Sequence, residues 1–539
     1  MNAPNGAERS EKGRPMDLVQ RRSAAGAAKP EAALLLSIAG HDPAGGAGFT
    51  ADLAAWSARG WRGASVCTAL TVQGAAGVQR VQCSEPQLVR DALRSVRAEV
   101  PVAAIKLGML GSGDVLRAVL AELEPWLQAQ PELPVVWDPV LAAGAGGEPL
   151  LERADGAELD RLARLCSVIT PNRDEAAALL GVAAWRGAAR PPSDWVDALR
   201  ARWLRGGRTR AVLLKGGHAD GDASVDWLVE RDALHASAVA RLPDRGRTHG
   251  TGCLYAASVA ATLAGGGSVL DALVDAQART RAAIAGAWRG GARAFAEAAA
   301  PIDSASLPAL AAADADPAWP PPAPFAPLRE PPGLYVLAPD ADTVLHLLDW
   351  GERTVQLRLK DVEPAARREQ IARAAAAARA CGAQLFVNDH WREAIDAGAC
   401  GVHLGQEDLD ALPAGALDAL RAAGLRLGLS SHTPAELARA HALQPSYIAC
   451  GPLYPTRSKA LAHAPLGLSG LRDWVARCAP RYPVVAIGGI ALAQLGAVTA
   501  AGAAGVAVIG AVLDAPDPRR ALHEGLAAIE RARAAPTAT

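Results

Sequence analysis

The sequence predicts two different α/β domains in series, and three observations carry that prediction. The chain has 539 residues, too many for one ordinary hydrophobic core. Short β-rich apolar runs alternate with helical stretches along most of it, the pattern of parallel strands covered by helices. That pattern is interrupted from Pro301 to Pro332, a stretch rich in Ala and Pro that includes Trp319-Pro320-Pro321-Pro322-Ala323-Pro324 and has no periodicity of its own. Such a stretch is expected between compact domains, not inside one. No internal repeat is evident, so the halves are not a duplication.

The expected boundaries are a disordered polar leader over 1–31, a first domain over 32–297, a linker over 298–332, a second domain over 333–530 and a tail over 531–539. Extended like polyproline at ~3.1 Å per residue, the linker would separate the domains by up to roughly 90 Å.

Composition excludes several classes of function. Half of the residues are hydrophobic and 21% are charged, which suits soluble globular domains. The net charge is −1 and no long basic block occurs, so neither nucleic acid nor an anionic membrane is an expected partner. The eight cysteines are scattered, with no C-x-x-C pair and no zinc-ligand spacing, as expected in a reducing compartment. The first thirty residues contain Glu8, Glu11 and Asp17 and no apolar core of signal-peptide length. Leu34–Ile38 is too short to span a bilayer. A soluble cytoplasmic protein is the expectation.

In the first half, strands are predicted at 34–39, 64–72, 103–107, 135–137, 168–170 and 211–215, forming a mostly parallel, doubly wound sheet. Ligands in such sheets sit at the carboxyl ends of the strands. Polar and glycine residues gather there: Gly40-His41-Asp42, Gln73, Gly108-Met109, Asp138, Asn172 and Gly216-Gly217. In the second half, eight strands are predicted at 334–337, 355–359, 385–387, 401–404, 426–429, 447–450, 484–487 and 505–509. Eight strands over about 180 residues suit a small (β/α)8 TIM barrel, with its site at the same strand ends.

The most informative run is Thr248-His249-Gly250-Thr251-Gly252-Cys253, which opens a helix. Glycines between small hydroxyl residues at a helix start leave backbone N–H groups facing one point, and the helix dipole favours an anion there. A cysteine beside such a site has its thiolate stabilised. An ordinary helix start with a buried cysteine is the competing reading.

The run resembles the anion-hole signature of the hydroxymethylpyrimidine (phosphate) kinases of the ribokinase-like superfamily, and residues 32–297 resemble that family throughout. Ala39-Gly40-His41-Asp42-Pro43-Ala44-Gly45-Gly46-Ala47-Gly48 matches its A-G-x-D-P-[SA]-G-G-A-G motif and is followed by Thr50-Ala51-Asp52-Leu53. The resemblance implies that Asp52 hydrogen-bonds the pyrimidine and that Gly40, Gln73, Met109 and Val140 line its pocket. Met109 and Val140 equally suit a core. It implies an anion hole at Gly250, Thr251 and Gly252, with Cys253 and Lys215 catalytic. Asp138, Asn172, Glu175 and Lys215 would meet MgATP, although Glu175 also suits a helix cap. Most ribokinase-like enzymes have Asp where Cys253 stands, which favours the pyrimidine kinases over the sugar kinases.

Residues 333–530 resemble thiamine phosphate synthase. In Gln356-Leu357-Arg358-Leu359-Lys360 the three polar residues alternate along one predicted strand, and an anion is the expected reason for placing them inside a barrel. The resemblance implies that Gln356, Arg358, Lys360 and Asn388 hold pyrophosphate and substrate, while Asp389 and Asp408 bind Mg²⁺. It carries over Ser430 from Ser430-Ser431-His432-Thr433, and Thr456, Ser458 and Lys459 from Gly451-Pro452-Leu453-Tyr454-Pro455-Thr456-Arg457-Ser458-Lys459 as a closing loop. Gly488, Gly489, Val508 and Ile509 would supply backbone donors to a phosphate. The family often has Gly at Ala486 and Ser near Ala507 or Gly510, so backbone donors must suffice here. His403 lies within a strand with no evident partner and reads as structural.

The implied function is thiamine biosynthesis. ATP and Mg²⁺ serve a kinase half acting on hydroxymethylpyrimidine and its monophosphate, and a synthase half then couples the diphosphate to thiazole phosphate. The rival readings are a kinase half acting on a pyridoxine-type alcohol and one half serving as a non-catalytic binding module. The expected partners are these small molecules, and a homo-oligomer stays open.

Overall fold

The computed structural model describes residues 33–535 except 75–76, 143–149, 153, 186–189, 218–220, 243–247, 292 and 456–463. The leader over 1–31 therefore lies outside the described residues, as do the last four residues of the tail.

The first half is built on a ten-stranded sheet. Its spatial order is Ala309–Leu310, Leu234–Ala240, Ala223–Glu230, Ala211–Leu214, Val168–Ile169, Val135–Trp137, Val102–Leu107, Leu34–His41, Gly63–Gly74 and Gly77–Cys83. The six strands from Ala211–Leu214 to Gly63–Gly74 pair in parallel. They coincide within a few residues with the six predicted ones; five are apolar runs legible as strands covered on both faces, while Gly63–Gly74 is covered only in part, with Leu70 and Val72 exposed. The sequence pattern missed the antiparallel strands at both edges. In those strands polar residues interrupt the apolar runs and the pairing is set by neighbours in space.

Helices cover the sheet, and local signals fix where several of them start. Asp155 with Glu158, Asn172 with Glu175 and Ser268 with Asp271 each close a capping box, in which side chains bond the free backbone N–H groups of the first turn. The second half is a closed barrel of eight parallel strands, 333–338, 354–357, 384–388, 401–404, 426–431, 447–450, 484–487 and 505–508. All eight predicted strands are present. The final helix Pro518–Ala534 carries the chain into what was read as a tail.

The Ala/Pro-rich segment is not an extended spacer. Ala309–Leu310 adds an edge strand to the first sheet, and Phe325, Ile302 and Leu307 are buried in the apolar core of the barrel half. Arg421, Arg426 and Ser446 of the barrel bond the carbonyls of Ala323, Pro327 and Ala326. Irregular backbone of this kind is satisfied by side chains instead of a ladder, so periodicity does not reveal it.

The two halves consequently share a packed boundary. Ala435 and Ala438, from the barrel helix Pro434–Leu443, are buried against Leu254, Val259 and Leu273 of the first half. Buried Asp275 meets Arg59 at 3.1 Å, Arg279 at 2.9 Å and, across the boundary, Arg477 at 3.1 Å. The three guanidinium groups outweigh the effect of burial and hold its carboxyl far below the usual range.

Candidate active sites

In the first half, strand ends and one helix start converge on a single point. Lys215, just past Ala211–Leu214, reaches Asp138 at 2.7 Å and Glu175 at 3.8 Å. The helix Thr251–Ala264 begins at Gly250 and brings Gly252 against the same pair. A Cβ there would stand 3.7 Å from both Asp138 Oδ2 and Lys215 Nζ. Gly250 has φ +86°, and a Cβ on it would meet the Gly46 carbonyl oxygen at 1.8 Å. The turn is thus held against the glycine-rich loop by backbone proximity that only glycine permits.

Electrostatics here are set by burial. Burial raises the Glu175 carboxyl to about 7, Lys215 opposing and Asp138 reinforcing the shift. For Lys215 burial acts the other way, but Asp138 and Glu175 outweigh it and keep the ammonium charged. Glu175 also accepts the Asn172 backbone N–H at 2.7 Å, while Asn172 Oδ1 accepts that of Glu175. Both residues therefore cap the helix, as the simpler reading held for Glu175, and Glu175 in addition faces Lys215.

One expectation changes. Burial pushes the Cys253 thiol up to about 11, with Lys106 opposing, so the free protein holds a thiol and not the thiolate expected beside a helix start. Asp52 is fully buried, and its Oδ2 accepts from Ser37 at 2.6 Å and Lys106 at 2.9 Å. Its Oδ1 is buried with no hydrogen-bond partner, which leaves one acceptor. Met109 is buried beside Ala69 and Leu150 with Val140 packed against them, and a Cβ on Gly40 would touch Met109 Sδ at 3.3 Å. Gln73 is half-buried on the strand Gly63–Gly74.

Lys106 and His249 were missed. Lys106 is a lysine inside the apolar strand Val102–Leu107; an unpaired charge there is untenable, and that was the available signal. His249 Nε2 lies 2.7 Å from Asp42 Oδ2, joining the anion turn to the first glycine-rich loop. Phe295 packs edge-on against the His249 ring, from a strand that pairs with Thr248-His249.

In the barrel, Gln356 begins a hydrogen-bonded chain across the interior. Its Nε2 donates to Tyr335 Oη at 3.2 Å, and Tyr335 Oη lies 2.9 Å from Tyr447 Oη. His403 then links Tyr447 at 2.8 Å to Ser430 Oγ at 2.9 Å. His403 therefore has partners, contrary to the sequence reading, and they come from strands distant in sequence. Burial lowers its pKa to about 4, so the ring is neutral near pH 7. The strand carrying Gln356 ends at Leu357, so Arg358 and Lys360 do not share it but lie on the loop beyond, Lys360 exposed.

Asp389 follows the strand Gln384–Asn388 at φ +66°, uncommon for a residue with a side chain, and accepts from Asn388 Nδ2 at 2.5 Å. A cleft of about 410 Å³ adjoins it, lined by Arg367, Arg368 and His390 among others. Asp408 is one strand further on, and its Oδ2 accepts the Gly405 N–H at 3.1 Å. Gly488 and Gly489 have φ +97° and +67°, and a Cβ on Gly488 would meet Pro452 Cα at 2.7 Å. Val508 ends the last strand and Ile509 follows it, partly exposed. Thr456, Ser458 and Lys459 lie outside the described residues. No group of three or more metal-ligating side chains occurs among the described residues.

Over 194 residues the chain is 50% identical to the thiamine-phosphate synthase of Neisseria meningitidis serogroup B, spanning 93% of that protein and 36% of this one. The chain belongs to the thiamine-phosphate synthase family. Identity to the Escherichia coli O139:H28 thiamine-phosphate synthase is 47% over 197 residues, covering 92% of that enzyme and 36% of this chain. The family profile of thiamine monophosphate synthase matches residues 334–512, and that of phosphomethylpyrimidine kinase matches 42–296. Among solved structures, phosphomethylpyrimidine kinase from Clostridium difficile is 30% identical, covering 45% of this chain and 94% of its own at a TM-score of 0.37. Pyridoxal kinase from Staphylococcus aureus in complex with ADP is 24% identical, covering 50% and 94%, at 0.43. The fusion of a kinase domain and a synthase domain makes a bifunctional enzyme of thiamine biosynthesis. Among the described residues, no helix is long and apolar enough to cross a membrane.

Proposed function

We propose that the first half phosphorylates 4-amino-5-hydroxymethyl-2-methylpyrimidine and then its monophosphate with MgATP, and that the second half couples the diphosphate to thiazole phosphate. The observation that supports the kinase reading most directly is the convergence of the Gly250–Cys253 turn, Lys215 and Asp138. Phosphoryl transfer is chiefly positioning and charge stabilisation, and backbone amides facing a lysine meet that need.

In this reading Gly40, Gln73, Met109 and Val140 hold the pyrimidine, and the free Oδ1 of Asp52 receives a donor from it. Cys253, a neutral thiol, acts by hydrogen bonding near the reacting hydroxyl. The donor sets suit Mg²⁺: Asp138 and Glu175 in the kinase, and Asp389 and Asp408 in the barrel, offer hard oxygens with no competing thiolate or imidazole in either set. Bound there, the cation neutralises phosphate charge. Lys215 then orients the nucleotide phosphates, and the Gly250, Thr251 and Gly252 amides receive the transferred group.

In the barrel, Arg358, Lys360 and Asn388 hold pyrophosphate, while Gly488, Gly489, Val508 and Ile509 present backbone donors to thiazole phosphate. The C–O bond to pyrophosphate breaks with its electron pair leaving on oxygen, and the thiazole nitrogen forms the new C–N bond. No nucleophilic side chain is required. Gln356 and Ser430, tied through Tyr335, Tyr447 and His403, orient the ring between them.

The test is incubation of the full-length protein with hydroxymethylpyrimidine, MgATP and thiazole phosphate, with thiamine phosphate read by mass. Product lost in both Cys253→Ala and Asp389→Asn supports two sites in series. Absence of product, with supplied pyrimidine diphosphate still converted, removes the kinase reading. Phosphorylation of pyridoxine in preference to the pyrimidine removes the substrate assignment.

A further inference from the structure

The barrel helix Pro434–Leu443 starts two residues after the strand Arg426–Ser431 that carries Ser430, and its first turn has to satisfy its own N–H groups. Pro434 has none, and Glu436 N–H is taken by Thr433 Oγ1 at 3.3 Å. The remaining donor, Ala435 N–H, is buried and bonds at 3.0 Å to Asp271 Oδ1, a residue of the kinase half. Asp271 is buried, and its other oxygen accepts from Ser268 N at 3.1 Å and Ser268 Oγ at 2.7 Å. One carboxylate thus serves the first turns of two helices in two domains.

The helix it caps is tied back to the end of the preceding strand. Glu436 accepts from the His432 N–H at 2.6 Å and lies 2.8 Å from His432 Nδ1. The Ser430 carbonyl accepts from Gln406 at 2.6 Å, and Ser430 Oγ meets His403. The stretch 430–433, the end of the strand and the two residues that join it to the helix, is therefore pinned at one end inside the barrel and at the other by a side chain from outside it.

We infer that Asp271 is a positioning residue for the synthase reaction: the kinase half holds the strand end that carries Ser430 in its working geometry, so the barrel's substrate affinity depends on the domain fused to it. This rests on the assignment of Ser430 to the synthase site. The packed boundary supports it, since Ala435 and Ala438 lie in the kinase half's apolar cluster and Arg477 pairs with Asp275 one helical turn beyond Asp271.

The experiment uses the full chain and measures the synthase step with supplied pyrimidine diphosphate and thiazole phosphate, and the kinase step with MgATP. Asp271→Ala is expected to raise the synthase KM about tenfold with kcat within about twofold, the scale expected of a slightly misplaced binding residue, while the kinase constants stay unchanged. Asp271→Asn keeps an oxygen acceptor for Ala435 and restores most of the KM. Ser268→Ala removes the kinase helix's own cap but not the cross-domain bond, and leaves the synthase KM unchanged. Should Asp271→Ala not fold, Asp271→Ser, too short to reach Ala435, is expected to give the same rise.

An unaltered KM in Asp271→Ala, an equal rise in Ser268→Ala, or parallel loss of both activities overturns the inference. Ser430→Ala separates the two layers. If it raises KM while Asp271→Ala does not, the coupling is wrong and the site reading stands; the opposite pattern removes the Ser430 reading and keeps the coupling.

Discussion

Replacing Gly250 by Ala tests the kinase site at its tightest point. The residue has φ +86°, where a side chain costs roughly 1–2 kcal/mol by backbone sterics alone. The new Cβ would also stand 1.8 Å from the Gly46 carbonyl oxygen, about 1.6 Å inside the 3.4 Å at which ordinary contact begins. Neither neighbour is a flexible side chain, so the anion turn and the glycine-rich loop must part by over an ångström. A displacement of that size at a reacting centre costs about 100-fold in rate. The Asp42–His249 bond spans the same gap and would break with it. Phosphorylation of hydroxymethylpyrimidine is therefore expected to fall by about 100-fold or more, while supplied pyrimidine diphosphate is converted at the normal rate. The assay is coupled ADP release for the first step and thiamine phosphate by mass for the second. A kinase rate within about tenfold of the parent protein would refute the claim that this turn receives the phosphoryl group.

The Cys253 thiol, pushed up to about 11, should be slow to alkylate with iodoacetamide at pH 7.5 and accelerate only above pH 9; rapid labelling at neutral pH contradicts the neutral-thiol assignment. His403 has its pKa lowered to about 4, so its folded state binds a proton less readily than the unfolded chain. Its contribution to stability is present above about 6.5 and lost as pH falls toward 4, up to about 3 kcal/mol in all. Denaturant titrations of His403→Gln should show a shallower loss over that window, and an identical slope would count against it. Asp389→Asn is expected to abolish conversion of supplied diphosphate and leave ADP release intact, since only the barrel would lose an oxygen donor to Mg²⁺. Asp275→Asn strands three guanidinium groups at the boundary and should destabilise the chain by about 3–5 kcal/mol, read as a fall in the urea midpoint.

What the sequence by itself determined was everything local. Continuous apolar runs such as Val135–Trp137 and Tyr447–Cys450 became strands, because burial on both faces needs no information from elsewhere. Glycine-rich turns at strand ends placed Gly250–Cys253 and Gly488-Gly489, and strand order along the chain fixed the barrel, since each βα unit packs on the next. What only the tertiary structure decided depends on partners remote in sequence. Lys106 and Asp52 are 54 residues apart, and each is tolerable in the core only because of the other. His403 reads as idle until Tyr447 and Ser430 arrive from other strands. The Pro-rich stretch has no periodicity to read, yet its carbonyls find Arg421 and Arg426 and its few apolar side chains find a core. Nor does any pattern join Asp271 to Ala435, 164 residues on, because a hydrogen bond between domains leaves no spacing in the chain that makes it.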